Sequence, residues 1–103
     1  MLGHTYCGAI KAACDTTVTE GNLGRLLDKI RPAIASENTV RKNRDAGNQV
    51  FLDKVTKINV DNTVRAIYKK SDILGRLIHS GSVGLIGTLY DVRTGEVHFE
   101  DLQ

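Results

Sequence analysis

An α/β fold, four helices packed on a small sheet, is predicted by three features of this sequence. Its middle is dominated by apolar residues at helical spacing. Its end carries an apolar run, a tight turn and an alternating segment, the pattern of a β-hairpin. Its start, Met1 to Gly3, is a short stub that can serve as a further strand. At 103 residues the chain is a single domain, residues 1–103, with room for one small core.

The first helix is predicted over Thr5 to Asp15, where Ile10, Ala13 and Cys14 share a face and the alanines favour helix. Asp15 to Gly21 is polar, β-branched and ends in Gly, so it reads as a loop. Asn22 then caps a second helix, whose Leu23, Leu26, Leu27, Ile30 and Ile34 fall on one stripe. Pro32 removes a helical N–H, so that helix is expected to end at Arg31 or kink there. Ser36 and Glu37 can start a third helix, with Asn38 to Gly47 polar and exposed. From Gln49 to Lys69 the pattern strengthens: Phe51, Val55, Ile58 and Asn62 trace one stripe, and Val60, Val64 and Ile67 an adjoining one. Ser71 is a strong N-cap for a short fourth helix through Ile73, Leu74, Leu77 and Ile78, which the segment HSGS ends.

The run SVGLIGTLYDV is apolar on both alternations, as an interior strand covered on both faces would be. RTG makes a tight turn and EVHFED a second strand. A lone hairpin is not stable, so the Val83 to Val92 strand needs a further neighbour: the stub, or another chain. The sheet is therefore expected to be completed by oligomerisation.

Composition narrows the function. A net charge of +2 is too small to argue for nucleic acid, and the densest basic run, Arg41-Lys42-Asn43-Arg44, has no interleaved aromatics. No apolar run approaches the ~20 residues of a membrane span, and no secretory signal is visible at the start. Cys7 and Cys14 on one helix would lie ~10 Å apart along its axis, beyond disulfide reach. A reducing cytoplasm is the expected setting.

The chemistry-bearing pair is His4 and Cys7. At a helix entrance residues three apart face the same way, and imidazole and thiolate are both zinc ligands. Taken as bare residues, the pair also reads as a structural His beside a buried Cys. The surroundings are more specific. GHTYCGAIKAA resembles the second zinc-binding motif of the β-class carbonic anhydrases, G-H-[ST]-x-C-G. NLGRLLDKIRPAI is similar to the helix that follows it in that family. KINVDNTVRAIYKKSDIL is similar to its later helix, and GLIGTLYDVRTGEVHF to its final G-x-x-Y-D-x-x-T-G hairpin.

That resemblance implies a zinc lyase for the reversible hydration of carbon dioxide to bicarbonate. In the family, zinc held by two Cys and one His brings the pKa of bound water toward ~7, and the hydroxide attacks carbon dioxide. The resemblance covers the family's second half, as a truncated form would. The first motif, C-x-D-x-R, which brings a further Cys and an Asp–Arg pair, has no counterpart in these residues. Only His4 and Cys7 carry over, as metal ligands, and no catalytic residue does. The chain alone is therefore expected to be inactive or weakly active. Cys14 is expected to point into the core, and His79 and His98, near a helix end and on a strand, to be surface or satisfied histidines, not ligands. Asp15, Arg44 and Asp45 do not recreate the missing motif. Tyr6, where the family often has Asp, is expected to pack beside the helix start. The expected partner is a second copy, as a dimer or higher homo-oligomer; two copies of His4 and Cys7 would make a closed, structural site. The alternative is a non-catalytic oligomerising remnant or interaction module, which the apolar strand flank favours.

Overall fold

A computed structural model describes residues 1–15 and 20–100. Along these residues run β1 (Leu2–His4), α1 (Gly8–Asp15), α2 (Gly21–Ser36), α3 (Gln49–Lys70), α4 (Asp72–His79), β2 (Thr88–Tyr90) and β3 (Val97–Phe99). The architecture is thus four helices and a three-stranded sheet, as the sequence predicts. The loop expected over Asp15 to Gly21 falls mostly outside the described residues.

The sheet order is β1-β2-β3. β1 runs parallel to β2, with Leu2 opposite Thr88, Gly3 opposite Leu89 and His4 opposite Tyr90. β2 runs antiparallel to β3, pairing Thr88 with Phe99 and Tyr90 with Val97. A parallel pair needs a long crossover, and all four helices lie in it. The stub is the neighbour that the hairpin required.

The core is where α1, α2 and α3 meet. Ile10, Ala13, Leu27, Ile30, Ala33, Phe51, Leu52 and Val55 form one buried cluster. Val60 lies under the sheet instead, only 2% exposed. A Cβ built on Gly3 would fall 2.5 Å from one of its methyls, and a Cβ on Gly87 2.8 Å from the other. Gly3 on β1 and Gly87 just before β2 therefore let α3 approach the sheet.

Several boundaries depart from the sequence expectation. α1 begins at Gly8, not Thr5, because the Thr5 N–H stays in the sheet and donates to the Tyr90 carbonyl at 3.0 Å. α2 is preceded by Glu20, whose side chain makes no capping bond, so Asn22 is not the cap. The helix also runs through Pro32 to Ser36. Ala33, just beyond the proline, is fully buried with Ile30 and Leu27, and that burial holds the helical register at the expense of one hydrogen bond.

Ser36 and Glu37 start no helix. Glu37 closes α2 with its N–H on the Ala33 carbonyl, 3.1 Å. Its carboxylate accepts from the Thr39 hydroxyl, from the Thr39 and Val40 N–H groups at 2.9 and 3.1 Å, and from Arg44 at 3.1 Å. Arg44 also donates to the carbonyls of Ile34, Glu37 and Val40 and lies over the Phe51 ring, 4.7 Å from its centroid. One carboxylate and one guanidinium thus satisfy the backbone of the connection from α2 to α3. Asn48 caps α3, its Oδ1 accepting from the Phe51 N–H at 3.3 Å. Ser71 caps α4 as predicted, accepting from the Leu74 N–H at 3.2 Å.

The Val83 to Val92 strand is ordered as strand only over Thr88–Tyr90. The N–H groups of Ser82 and Val83 instead return to the Leu77 carbonyl at the end of α4. Cover on both faces is also incomplete: Thr88 is buried, Leu89 and Tyr90 are half-buried, and Val83 and Val92 are exposed.

A candidate metal half-site at the end of the first strand

His4 is the last residue of β1, and Cys7 immediately precedes α1. The Cys7 carbonyl accepts the first helical bond, from the Lys11 N–H at 3.0 Å. Between them the chain makes a sharp turn, because Tyr6 takes a left-handed backbone with φ +54°. For a bulky non-glycine residue that conformation is strained. Asp and Asn tolerate it better, which gives a physical reason for an Asp to be common at this place in the motif.

The turn is tied down by the end of β2 and the loop between β2 and β3. The Thr5 N–H donates to Tyr90 O, and the Val92 N–H donates to Thr5 Oγ1 at 3.1 Å. The Arg93 guanidinium lies over the Tyr6 ring, 5.5 Å from its centroid. That loop is itself rigidly built. Asp91 Oδ1 accepts from the Arg93 N–H at 2.9 Å, Thr94 Oγ1 from the Glu96 N–H at 3.2 Å, and Gly95 supplies the left-handed residue with φ +78°. The Asp, Thr and Gly of the Y-D-x-x-T-G signature each have a place in this turn.

The donor set suits zinc. His4 Nδ1 faces the Thr5 carbonyl at 2.7 Å. A carbonyl can only accept, so Nδ1 carries the hydrogen and the lone pair stands on Nε2, the arrangement common in metal-ligating His. His4 is exposed, Cys7 is half-buried, and neither cysteine is in a disulfide. Both side chains border one cavity of about 310 Å³, walled mainly by Ile10, Leu26, Ile30 and Val60, with Lys29 and Asn59 at its polar side. Among the described residues no group of three His, Cys, Asp or Glu side chains is placed to hold a metal ion. The fit is therefore to two of four positions.

The other residues considered from sequence lie elsewhere. Cys14 packs half-buried against the core, and burial pushes its thiol pKa up, which keeps it a neutral thiol. His79 is exposed at the end of α4. His98, on β3, faces Glu96 at 3.4 Å. Arg44 is committed to Glu37 and backbone carbonyls, far in role from a ligand-regulating pair. Tyr6 borders a cavity with Ile10 and Lys11 at the helix start, is 53% exposed, and is stacked by Arg93. Arg93 is the residue that sequence reading missed. The hint was present in the sequence, since a Tyr at a place suited to Asp needs an external hold.

The family model described as carbonic anhydrase matches residues 1–97. No functionally curated protein matches the sequence. Among solved structures, the β-carbonic anhydrase CcaA is similar with a TM-score of 0.73 and 18% identity, over 97% of this chain and 48% of that one. The β-carbonic anhydrase CafD of the filamentous fungus Aspergillus fumigatus, solved as two single-site variants, gives TM-scores of 0.65 at 14% identity. Those matches cover 97% and 98% of this chain and 54% and 55% of theirs. The chain spans about half the length of these structures.

Proposed function

Because the chain belongs to the carbonic anhydrase family, we propose that it contributes the His4 and Cys7 half of a zinc centre for the reversible hydration of carbon dioxide. The same reading holds that the chain alone is inactive or weakly active. The observation that carries it is that both residues line one cavity, with no group of three possible ligands among the described residues.

Zinc, when bound, supplies Lewis-acid activation of water. The chain's own residues do the rest of what can be derived. The Thr5 carbonyl fixes the imidazole tautomer so that Nε2 faces outward as a donor pair. The left-handed turn at Tyr6 brings Cys7 back toward the strand end. Ile10, Leu26, Ile30 and Val60 give the cavity an apolar wall, which suits a small apolar substrate such as carbon dioxide. The remaining ligands must come from beyond this chain's described residues; a second copy would close the site with its own His4 and Cys7, so a catalytic centre needs a surface that leaves one position open. A reducing, cytoplasmic setting keeps both thiols free. No helix among the described residues is long and apolar enough to cross a membrane.

Zinc content by elemental analysis, paired with stopped-flow carbon dioxide hydration, tests this. Metal that tracks His4 and Cys7, with hydration near background, is the expected result. A stoichiometric, fast centre made by the monomer alone refutes the half-site.

A second reading, a non-catalytic oligomerising module, is favoured by one feature. α4 buries none of its residues, and large apolar side chains stand out on α4 and β3, Ile73 at 66% and Phe99 at 69% exposure. A protein that self-associates but takes up no zinc in any oligomeric form would select it.

A further inference from the structure

We infer that Arg93 is a positioning residue for the metal half-site, acting through the Tyr6 ring. This rests on the reading of His4 and Cys7 as ligands and adds to it. Tyr6 separates the two ligands' segments and holds a backbone that its side chain disfavours, φ +54°. A strained residue persists only where its surroundings over-determine it. Tyr6 borders a cavity with Lys11 of α1 and Gln49 of α3, and its firmest holds come from the hairpin. The end of β2 and the loop after it grip Thr5 through the Tyr90 carbonyl and the Val92 N–H, and the loop lays Arg93 on the Tyr6 ring.

The first two holds fix the residue before the bend. The third is the hold on the bend's own side chain. Without it Tyr6 can relax to right-handed or extended backbone, and Cys7 then swings away from the end of β1. The exposed position of both partners matters too. Tyr6 is 53% exposed and Arg93 is exposed, so neither contributes to the core. Their contact orders the turn and does little else. Arg93 is itself fixed by its N–H on Asp91 Oδ1 and by the turn closing at Gly95, whose N–H donates to the Asp91 carbonyl at 2.8 Å.

The test is a cadmium(II) titration of the full chain, read by the ultraviolet charge-transfer band of the metal–thiolate bond. Loss of the band in Cys7→Ser assigns it to Cys7. Arg93→Ala is expected to weaken cadmium affinity about tenfold, in the range seen when groups supporting metal ligands are removed. Tyr6→Phe keeps the ring and should bind as the parent does; Arg93→Lys keeps the cation and should lie between. Tyr6→Asn separates positioning from strain, because Asn tolerates the left-handed backbone but offers no ring. Positioning through the stack predicts that Tyr6→Asn binds cadmium as the parent does, and that adding Arg93→Ala to Tyr6→Asn costs no further affinity. An about tenfold loss on adding Arg93→Ala to Tyr6→Asn, or affinity in Arg93→Ala alone within about twofold of the parent, overturns the inference and leaves the half-site standing. Absence of any thiolate band in the parent overturns the half-site and this inference together.

Discussion

Adding one methyl group at Gly3 should destabilise the fold through a single valine. The Cβ of Gly3→Ala would lie 2.5 Å from Val60 Cγ2, 3.5 Å from Thr56 Cγ2 and 3.6 Å from Leu89 Cδ1. Carbon atoms rest at about 3.5–4.0 Å, so Val60 must yield by about 1 Å. It has nowhere to go. Its other methyl already sits where a Cβ on Gly87 would be, at 2.8 Å, and valine in a helix has one strongly preferred rotamer. Overpacking of this kind costs about 1–3 kcal/mol. For a domain near 100 residues each kcal/mol lowers Tm by roughly 4–8 °C. Thermal unfolding followed by circular dichroism measures it. The partner variant Val60→Ala loses about 1.5 kcal/mol of burial by itself, but in that background Gly3→Ala should cost less than about 0.5 kcal/mol, a coupling typical of contacting residues. Equal destabilisation by Gly3→Ala in both backgrounds would refute the steric account, as would a neutral Gly3→Ala in the parent.

Three further outcomes follow from named contacts. The Glu37 carboxyl is pulled from 4.5 to about 2, first by the Thr39 hydroxyl bond and then by N–H bonds from Thr39 and Val40. A depressed carboxyl stabilises the fold above its ordinary pKa, so this contribution is full above pH 4.5 and is lost as pH falls toward about 2. Acid titration of Glu37→Gln should lack that component of the transition, and an unchanged profile would count against the network. Asn48→Ala should lose about 1 kcal/mol with the α3 cap, while Asn48→Asp keeps most of it, by urea denaturation. Cys7→Ser should abolish zinc retention in equilibrium dialysis, whereas Cys14→Ala, which removes a thiol packed against the core, should leave it unchanged.

What was legible in the sequence was what is decided locally. Ser71 caps α4 because a hydroxyl three residues before a helical N–H needs nothing else. The spacing of His4 and Cys7 is local too, and both residues line one cavity, though that alone does not make them ligands. The misread elements were decided by distant partners. Thr5 looked helical, but its N–H is taken by Tyr90 across the sheet. Pro32 looked like a stop, but burial of Ala33 overrode it. Ser36 and Glu37 looked like a helix start because a carboxylate is common there. The Arg44 guanidinium turned that carboxylate to loop closure instead. For Arg93 the sequence held only half the hint: a Tyr at a place suited to Asp needs an external hold, but nothing near Arg93 in the chain names it as the partner.

With His4 and Cys7 as ligands, as proposed, the arrangement separates two requirements of a metal site that are often treated as one. Preorganisation is met within this chain: the tautomer of His4 is fixed by Thr5, and the bend before Cys7 is held by the hairpin loop. Ligand number is not met among the described residues. A complete structural zinc site contributes about 10–16 kcal/mol at neutral pH. Two of four ligands, sharing that equally, give about 5–8 kcal/mol, a dissociation constant of about one to a few hundred micromolar. Preorganisation moves the affinity toward the tight end of that range, because the ordering cost is met before the ion arrives. It cannot reach the affinity of a closed site, since each open position leaves the ion to water. On the proposed reading, the rigid His4–Cys7 turn is therefore built to receive ligands from another polypeptide surface, and its rigidity is what would make two donors sufficient for the first step of assembly.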